Sequence, residues 1–311
     1  MQTNNYISIQ EFGDLSKEHP DLLITTLHGS MKKDTAFMKT FGNLEDYLHP
    51  DDIAHLQDYM DLECDIGTDQ LADRTAELTN EKLSGKFLIR RIKNEMHRGF
   101  LDGNRVHFTG IKDSALRLIW YELPESMQDK LREIHAEYLH EIWQHSEGAK
   151  FILDIHSMWS QHPIASKEVE GVKKNIEICG ALQRYIQAFL NGTENRPINL
   201  ITHDGSQRIS DKKLNELIIE GSLKAFPEWH ASEDNPYDMH GDLTIARRLV
   251  LITQSNGGNG SVVDIPKGLL TNHLKPAGKV LREEDINISQ VERMADVLST
   301  ALAKRILENS N

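Results

Sequence analysis

The sequence predicts an α/β fold, a central sheet flanked by helices. Two observations predict it. Short apolar runs alternate along the chain with stretches of helical periodicity. Two of those runs, at 22–27 (LLITTL) and 151–155 (FILDI), have the form of buried strands and end alike, in a histidine followed by a small residue: His28-Gly29 and His156-Ser157. No repeat, low-complexity tract or Pro/Gly/Ser-rich linker interrupts the pattern, so a single domain over 1–311 is expected.

The elements follow in order. The run at 22–27 is the first strand. A helix is expected over 68–79, where Leu71, Thr75 and Leu78 share a face, and a strand over 86–96. Residues 126–146 read as a long helix. Ser126 and Asp129 resemble a capping box, Leu131, Ile134, Tyr138 and Ile142 form its apolar stripe, and Gly148 ends it. The strand at 151–155 runs into His156. A strand at 198–201 precedes a helix at 211–226, which Pro227 stops. A strand at 261–265 closes at Pro266. Ser289 and Glu292 open a last helix carrying Val291, Met294, Val297, Leu298 and Leu302. The glycine-rich stretch from Gln254 to Gly260 lacks a phosphate-loop lysine and does not start a helix, so it reads as a mobile turn or gate before the Asp264 strand.

Composition excludes several classes. The 311 residues include 35 Lys plus Arg against 48 Asp plus Glu, a formal charge of −13, which leaves no basic surplus to displace counterions from nucleic acid. The two cysteines, Cys64 and Cys179, exclude a disulfide framework and a thiolate metal cluster. The N-terminus lacks a basic start and apolar stretch, and no run is long enough to span a bilayer, so a cytoplasmic protein without membrane contact is expected. Oligomeric state is not encoded in any recognisable feature.

The chemistry lies at the strand ends. In open α/β sheets the ligand crevice lies outside the carboxyl ends of the strands. Two histidines delivered there from separate strands, His28 and His156, are placed to share a metal ion, with a carboxylate as third ligand and an open position for water. A shared ion requires the two rings to stand within about 6 Å of each other. In a strand Asp154 points to the same side as His156, where it would orient the ring. Arg98-Gly99-Phe100-Leu101-Asp102-Gly103-Asn104-Arg105 sets two arginines and an amide beside a turn, the groups that bind carboxylates by forked hydrogen bonds, with Asp102 placed to orient one arginine. Trp120, Trp143, Trp159 and Trp229 read as packing residues, and His140 and His145 as solvated. His135 lies on the Leu131-Ile134-Tyr138 side of its helix, from which it could approach the cleft.

Together these segments resemble the N-formylglutamate amidohydrolase family, which is related to the zinc carboxypeptidases. The resemblance covers residues 22–271. It rests on His28-Gly29, on Asp65-Ile66-Gly67-Thr68-Asp69-Gln70-Leu71, on the Asp102-x-Asn104-Arg105 turn, on His135 and on Asp154-x-His156-Ser157. The family's late glycine–threonine segment is matched by Asn235-Pro236-Tyr237 and Gly241-Asp242-Leu243-Thr244, with His240-Gly241 where the family has two glycines. The resemblance implies a mixed, mostly parallel sheet of the zinc-exopeptidase-like (phosphorylase/hydrolase-like) class. It implies one Zn2+ per chain, held by His28, Asp65 and His156, with Glu63 and Asp69 as alternatives to Asp65. It implies that Arg98 polarises the scissile carbonyl and that Asn104, Arg105 and Thr244 bind a small-molecule carboxylate substrate. Near the C-terminus the family places a catalytic glutamate on a strand; here Asp264 stands in Val263-Asp264-Ile265-Pro266, one methylene and about 1.5 Å shorter. The implied activity is hydrolysis of the amide of an N-formyl or N-acyl amino acid, with N-formylglutamate as the first substrate.

Overall fold

The computed structural model describes residues 2–3, 6–28, 46, 50–98, 101–106, 123–160, 181–191, 195–235, 239, 244–273 and 279–310. Among the described residues, eight strands make one sheet: β1 (Gln2–Thr3), β2 (Ile7–Gly13), β3 (Leu22–Thr26), β4 (Leu88–Asn94), β5 (Phe151–Met158), β6 (Ile198–Ile201), β7 (Ala231–Glu233) and β8 (Asn259–Pro266). Their order is β1-β2-β4-β3-β5-β8-β6-β7. The neighbours β4, β3, β5 and β8 run parallel, as do β6 and β7. The pairs β1–β2, β2–β4 and β6–β8 are antiparallel. The sheet is mixed and mostly parallel, as expected.

Strands β3 and β5 are buried along their whole length, the state that a continuous apolar run anticipates for a sheet covered on both faces. On one face, Leu23, Ile92, Ile152 and Val262 pack beneath α1 (Pro50–Glu63), α3 (Glu125–Ser146), α4 (Ala181–Leu190) and α6 (Ile245–Ser255). On the other, Ile24, Leu153, Ile155 and Val263 pack against α2 (Thr68–Lys82), α5 (Lys212–Ala225), α7 (Lys267–Leu270) and α8 (Ile288–Asn309). Among the described residues, no helix is long and apolar enough to cross a membrane.

Several local expectations shift. The long helix begins at Glu125 after Pro124 with no side-chain cap, and Asp129 instead pairs with Arg132, so Ser126 and Asp129 form no capping box. The last helix is capped by Asn287, whose side chain accepts from the Gln290 N–H, two positions before the Ser289 expected. The helix at Asp211 is as read, with the Asp211 carboxylate accepting from Lys213 and Leu214. The stretch from Gln254 to Gly260 is not a gate to the Asp264 strand end. It finishes α6, turns at Gly257 and starts β8, so it lies at the amino end of the sheet, where Asn259 N–H bonds the Lys150 carbonyl at 2.9 Å. Seven of these elements were not read from sequence: β1, β2, β7, α1, α4, α6 and α7.

Candidate metal centre

The four adjacent parallel strands β4, β3, β5 and β8 each deliver one chemically active residue past or at their carboxyl ends. Arg98 follows β4, His28 follows β3, His156 lies near the end of β5, and Asp264 near the end of β8. The ladder pairs His156 with Asp264 directly, so the two side chains share one face of the sheet, the face that also holds Asp154.

Asp65 arrives separately, in the turn between α1 and α2. Its position is built by local geometry. The Thr68 hydroxyl bonds the Asp65 carbonyl at 2.7 Å, and Gly67 takes a left-handed φ of 80°. A Cβ at Gly67 would also meet Leu270 at 3.1 Å. The Ser157 N–H then donates to Asp65 Oδ2 at 3.0 Å, fixing that oxygen beside β5.

Three donor atoms converge. His28 Nδ1 stands 3.0 Å from Asp65 Oδ2, His156 Nδ1 is 3.4 Å from the same oxygen, and the two Nδ1 atoms are 3.0 Å apart. The ring centroids lie 4.3 Å apart. Ligands bound at about 2.0 Å in a tetrahedron stand about 3.3 Å from one another, close to this triangle. Two ring nitrogens facing at 3.0 Å need a proton or a cation between them, since two lone pairs repel. The donor set, two imidazoles and one carboxylate, fits a divalent ion with an open fourth position.

Each donor is oriented from behind. Asp154 Oδ2 accepts from His156 Nε2 at 2.6 Å, and Thr25, opposite it on β3, donates to Asp154 Oδ1 at 2.6 Å. With Nε2 so engaged, His156 presents Nδ1. His28 Nε2 lies 3.6 Å from Asp102 Oδ1. Burial and the nearby Arg98 guanidinium push the His28 imidazole down to about 4, so it is neutral at working pH. Burial also disfavours charge on His156, but Asp154 and Asp65 outweigh it and raise that imidazole well above its usual value. Burial alone would raise Asp65; His28 and His156 hold it well below the usual carboxylate range.

Asp65, rather than its alternatives, meets the histidines. Glu63 accepts from the Tyr185 hydroxyl at 2.5 Å, and Asp69 is taken by Thr26, Arg91 and Lys93. Asp264 is buried, its Oδ1 accepts no hydrogen bond among the described residues, and burial pushes its carboxyl up to about 7 against the opposing effect of His156.

Arg98 and Arg105 both stand near Asp102. Gly103 sits so close to β3 and β4 that a Cβ would fall 2.3 Å from the Leu27 carbonyl and 2.1 Å from Asn94 Nδ2. Arg105 Nε lies 3.7 Å from Asp102, while Arg98 lies 3.7 Å from Asp65, 3.9 Å from Glu63 and 4.0 Å from Asp102. Among the described residues neither guanidinium makes a hydrogen bond, so both keep their donors. Asn104 Oδ1 accepts from the Ala246 N–H at 3.0 Å, and Thr244 caps the same helix, α6, while bridging to Arg105. The Asn104 side-chain oxygen and the Thr244 backbone therefore fix α6 to this turn, while the Thr244 hydroxyl accepts from the Arg247 N–H and donates to the Met239 carbonyl. His135 reaches the Arg105 carbonyl at 2.8 Å.

Sequence reasoning missed Tyr185, Lys267 and His97. Tyr185 comes from the unread helix α4. Buried Lys267 follows Asp264 by three residues, and Cys64 Sγ meets His97 Nε2 at 3.1 Å. Trp159 and Trp229 are buried, as read, and Trp143 is partly buried; Trp120 and residues 236–238 and 240–243 lie outside the described residues. His140 is exposed, whereas His145 is half-buried and pairs with Glu141.

No family model matches the chain, and no curated protein matches it in sequence. Solved structures do match. An N-formylglutamate amidohydrolase from Ralstonia eutropha JMP134 aligns over 98% of this chain and 100% of its own, with a TM-score of 0.57 and 14% identity. This chain shares that fold. Weaker matches include a bacteriophage poly-gamma-glutamate hydrolase, with 100% and 94% covered, TM-score 0.45 and 10% identity. A metallo-carboxypeptidase from Burkholderia cenocepacia matches with 97% and 61% covered, TM-score 0.43 and 12% identity.

Proposed function

We propose that this chain is a zinc-dependent amidohydrolase that cleaves the amide of an N-acyl amino acid, with N-formylglutamate as the first substrate to try. The observation that carries the reading is the triangle of His28, Asp65 and His156 donors beside two arginines whose guanidiniums make no hydrogen bond among the described residues.

When bound, a divalent ion there supplies Lewis-acid polarisation and acidifies water toward neutrality. The chain's own residues do the rest. Asp264 accepts a proton from the attacking water and returns it to the departing amine nitrogen, so that amide plus water gives a small acid and a free amino acid. A carboxyl poised near 7 is suited to taking and giving a proton at neutral pH. Arg98 donates to the carbonyl oxygen as negative charge grows on it. Arg105 grips the substrate carboxylate, with Asn104 and Thr244 holding its turn against α6. Local positive charge draws an anionic substrate despite the acidic total.

The test is formate release from N-formylglutamate before and after chelation, followed by a panel of N-acyl amino acids and dipeptides. Activity that survives complete removal of metal would end this reading. A second reading is favoured by Asp264, the residue that departs from the family's glutamate: a metal-binding protein with altered or lost turnover. Stoichiometric metal with no hydrolysis of any member of the panel would select it.

A further inference from the structure

The turn that carries Asp65 is held at successive residues by different parts of the chain. Lys267 Nζ donates to the Leu62 carbonyl at 2.6 Å, and the Tyr185 hydroxyl donates to Glu63. His97 meets Cys64, and the Ser157 N–H donates to Asp65. Of these contacts the lysine is the least expected on grounds of stability. Lys267 is only 2% exposed, yet among the described residues no carboxylate lies within ion-pair distance of its ammonium. Lysines are almost never so buried unless paired, and ordering and desolvating one is costly. A methionine would fill similar space without that cost.

The position of the bond accounts for the charge. Leu62 lies in the last turn of α1, where carbonyls lack partners within the helix and the helix dipole is negative. Lys267 caps that helix end from a distant part of the chain, and Asp65 follows three residues after Leu62. Lys267 also stands three residues beyond Asp264, at the start of α7. One side chain thus ties the end of β8 to the end of α1.

We propose that Lys267 is a positioning residue for the ion site: by holding the Leu62 carbonyl it fixes where α1 stops, and so where Asp65 Oδ2 stands against the two imidazoles. This rests on the reading that His28, Asp65 and His156 hold a divalent ion. The test compares zinc affinity, by competition with a chromophoric chelator, in the wild type and in Lys267→Met, alongside thermal unfolding of both metal-free proteins. The expected result is a folded variant whose zinc dissociation constant is raised about 10- to 100-fold. A variant that is less stable but binds zinc with wild-type affinity would show a merely structural lysine and overturn the proposal. If Lys267→Met does not fold, Lys267→Leu, which also lacks a donor, decides: weakened affinity supports the proposal and unchanged affinity overturns it. Failure of the wild type to bind zinc would instead remove the ion site itself.

Discussion

The two ends of the parallel strands treat buried carboxylates in opposite ways. At the amino end, Asp21 Oδ2 accepts the Leu88 N–H at 2.9 Å and Lys17 Nζ at 2.5 Å, and the Asp21 carbonyl accepts the Phe151 N–H. At the carboxyl end, Asp65 Oδ1, Asp102 Oδ2 and Asp264 Oδ1 are buried and accept no hydrogen bond among the described residues. Leaving such atoms unsatisfied costs on the order of 1–3 kcal/mol each. One end spends its polar groups on joining strands. The other keeps them for chemistry and depends on surrounding layers for its rigidity.

Four substitutions would break or sharpen this contrast, in falling order of effect. His156→Ala removes one of three donors and should abolish stoichiometric metal, read by elemental analysis, together with hydrolysis. Metal retained in that variant would place the site elsewhere.

Asp264→Asn should keep the metal and lower kcat by about 10²- to 10⁴-fold. The same change should stabilise the metal-free protein. Asp264 is raised to about 7 in the fold from 3.8, so its contribution to stability is present at low pH and is lost as pH rises through about 7. Denaturant unfolding should show an advantage for the variant that grows between pH 4 and pH 7, toward about 4 kcal/mol at most. A pH-independent difference would refute the assignment.

Arg105→Met should raise KM about 10- to 100-fold through the loss of charge-assisted bonds to the substrate carboxylate, with a smaller effect on kcat. Asp21→Asn, at the opposite end, should cost about 1–3 kcal/mol of stability and leave kcat/KM unchanged. A catalytic defect there would dissolve the division between the two ends.

What was legible in sequence follows the same division. The runs ending at His28 and His156 stood out because parallel strands buried on both faces are apolar without interruption. The resemblance pointed to Asp65, but composition and spacing alone left Glu63 and Asp69 open, because what selects among the three is distant: Ser157 N–H for one, Tyr185 for another, Arg91 and Lys93 for the last. Helix α1 escaped notice because its buried positions include Asp52, Asp61 and Glu63, which break the apolar stripe. Helix α6, IARRLVLITQS, is rich in β-branched residues and fits a strand as readily as a helix until Thr244 caps it. Strand β2 is only half-buried, and its few apolar residues give a weak alternation.

The pairing of His156 with Asp264 makes the ladder between β5 and β8 a ruler for the chemistry. Side chains alternate across a sheet, so deleting one residue between Gly260 and Asp264 would turn the carboxylate into the layer of α2 and α8 and push an aliphatic neighbour toward the imidazoles. Evolution can lengthen or trim the loops around this sheet, but a frame change within that strand would erase the reaction in one step.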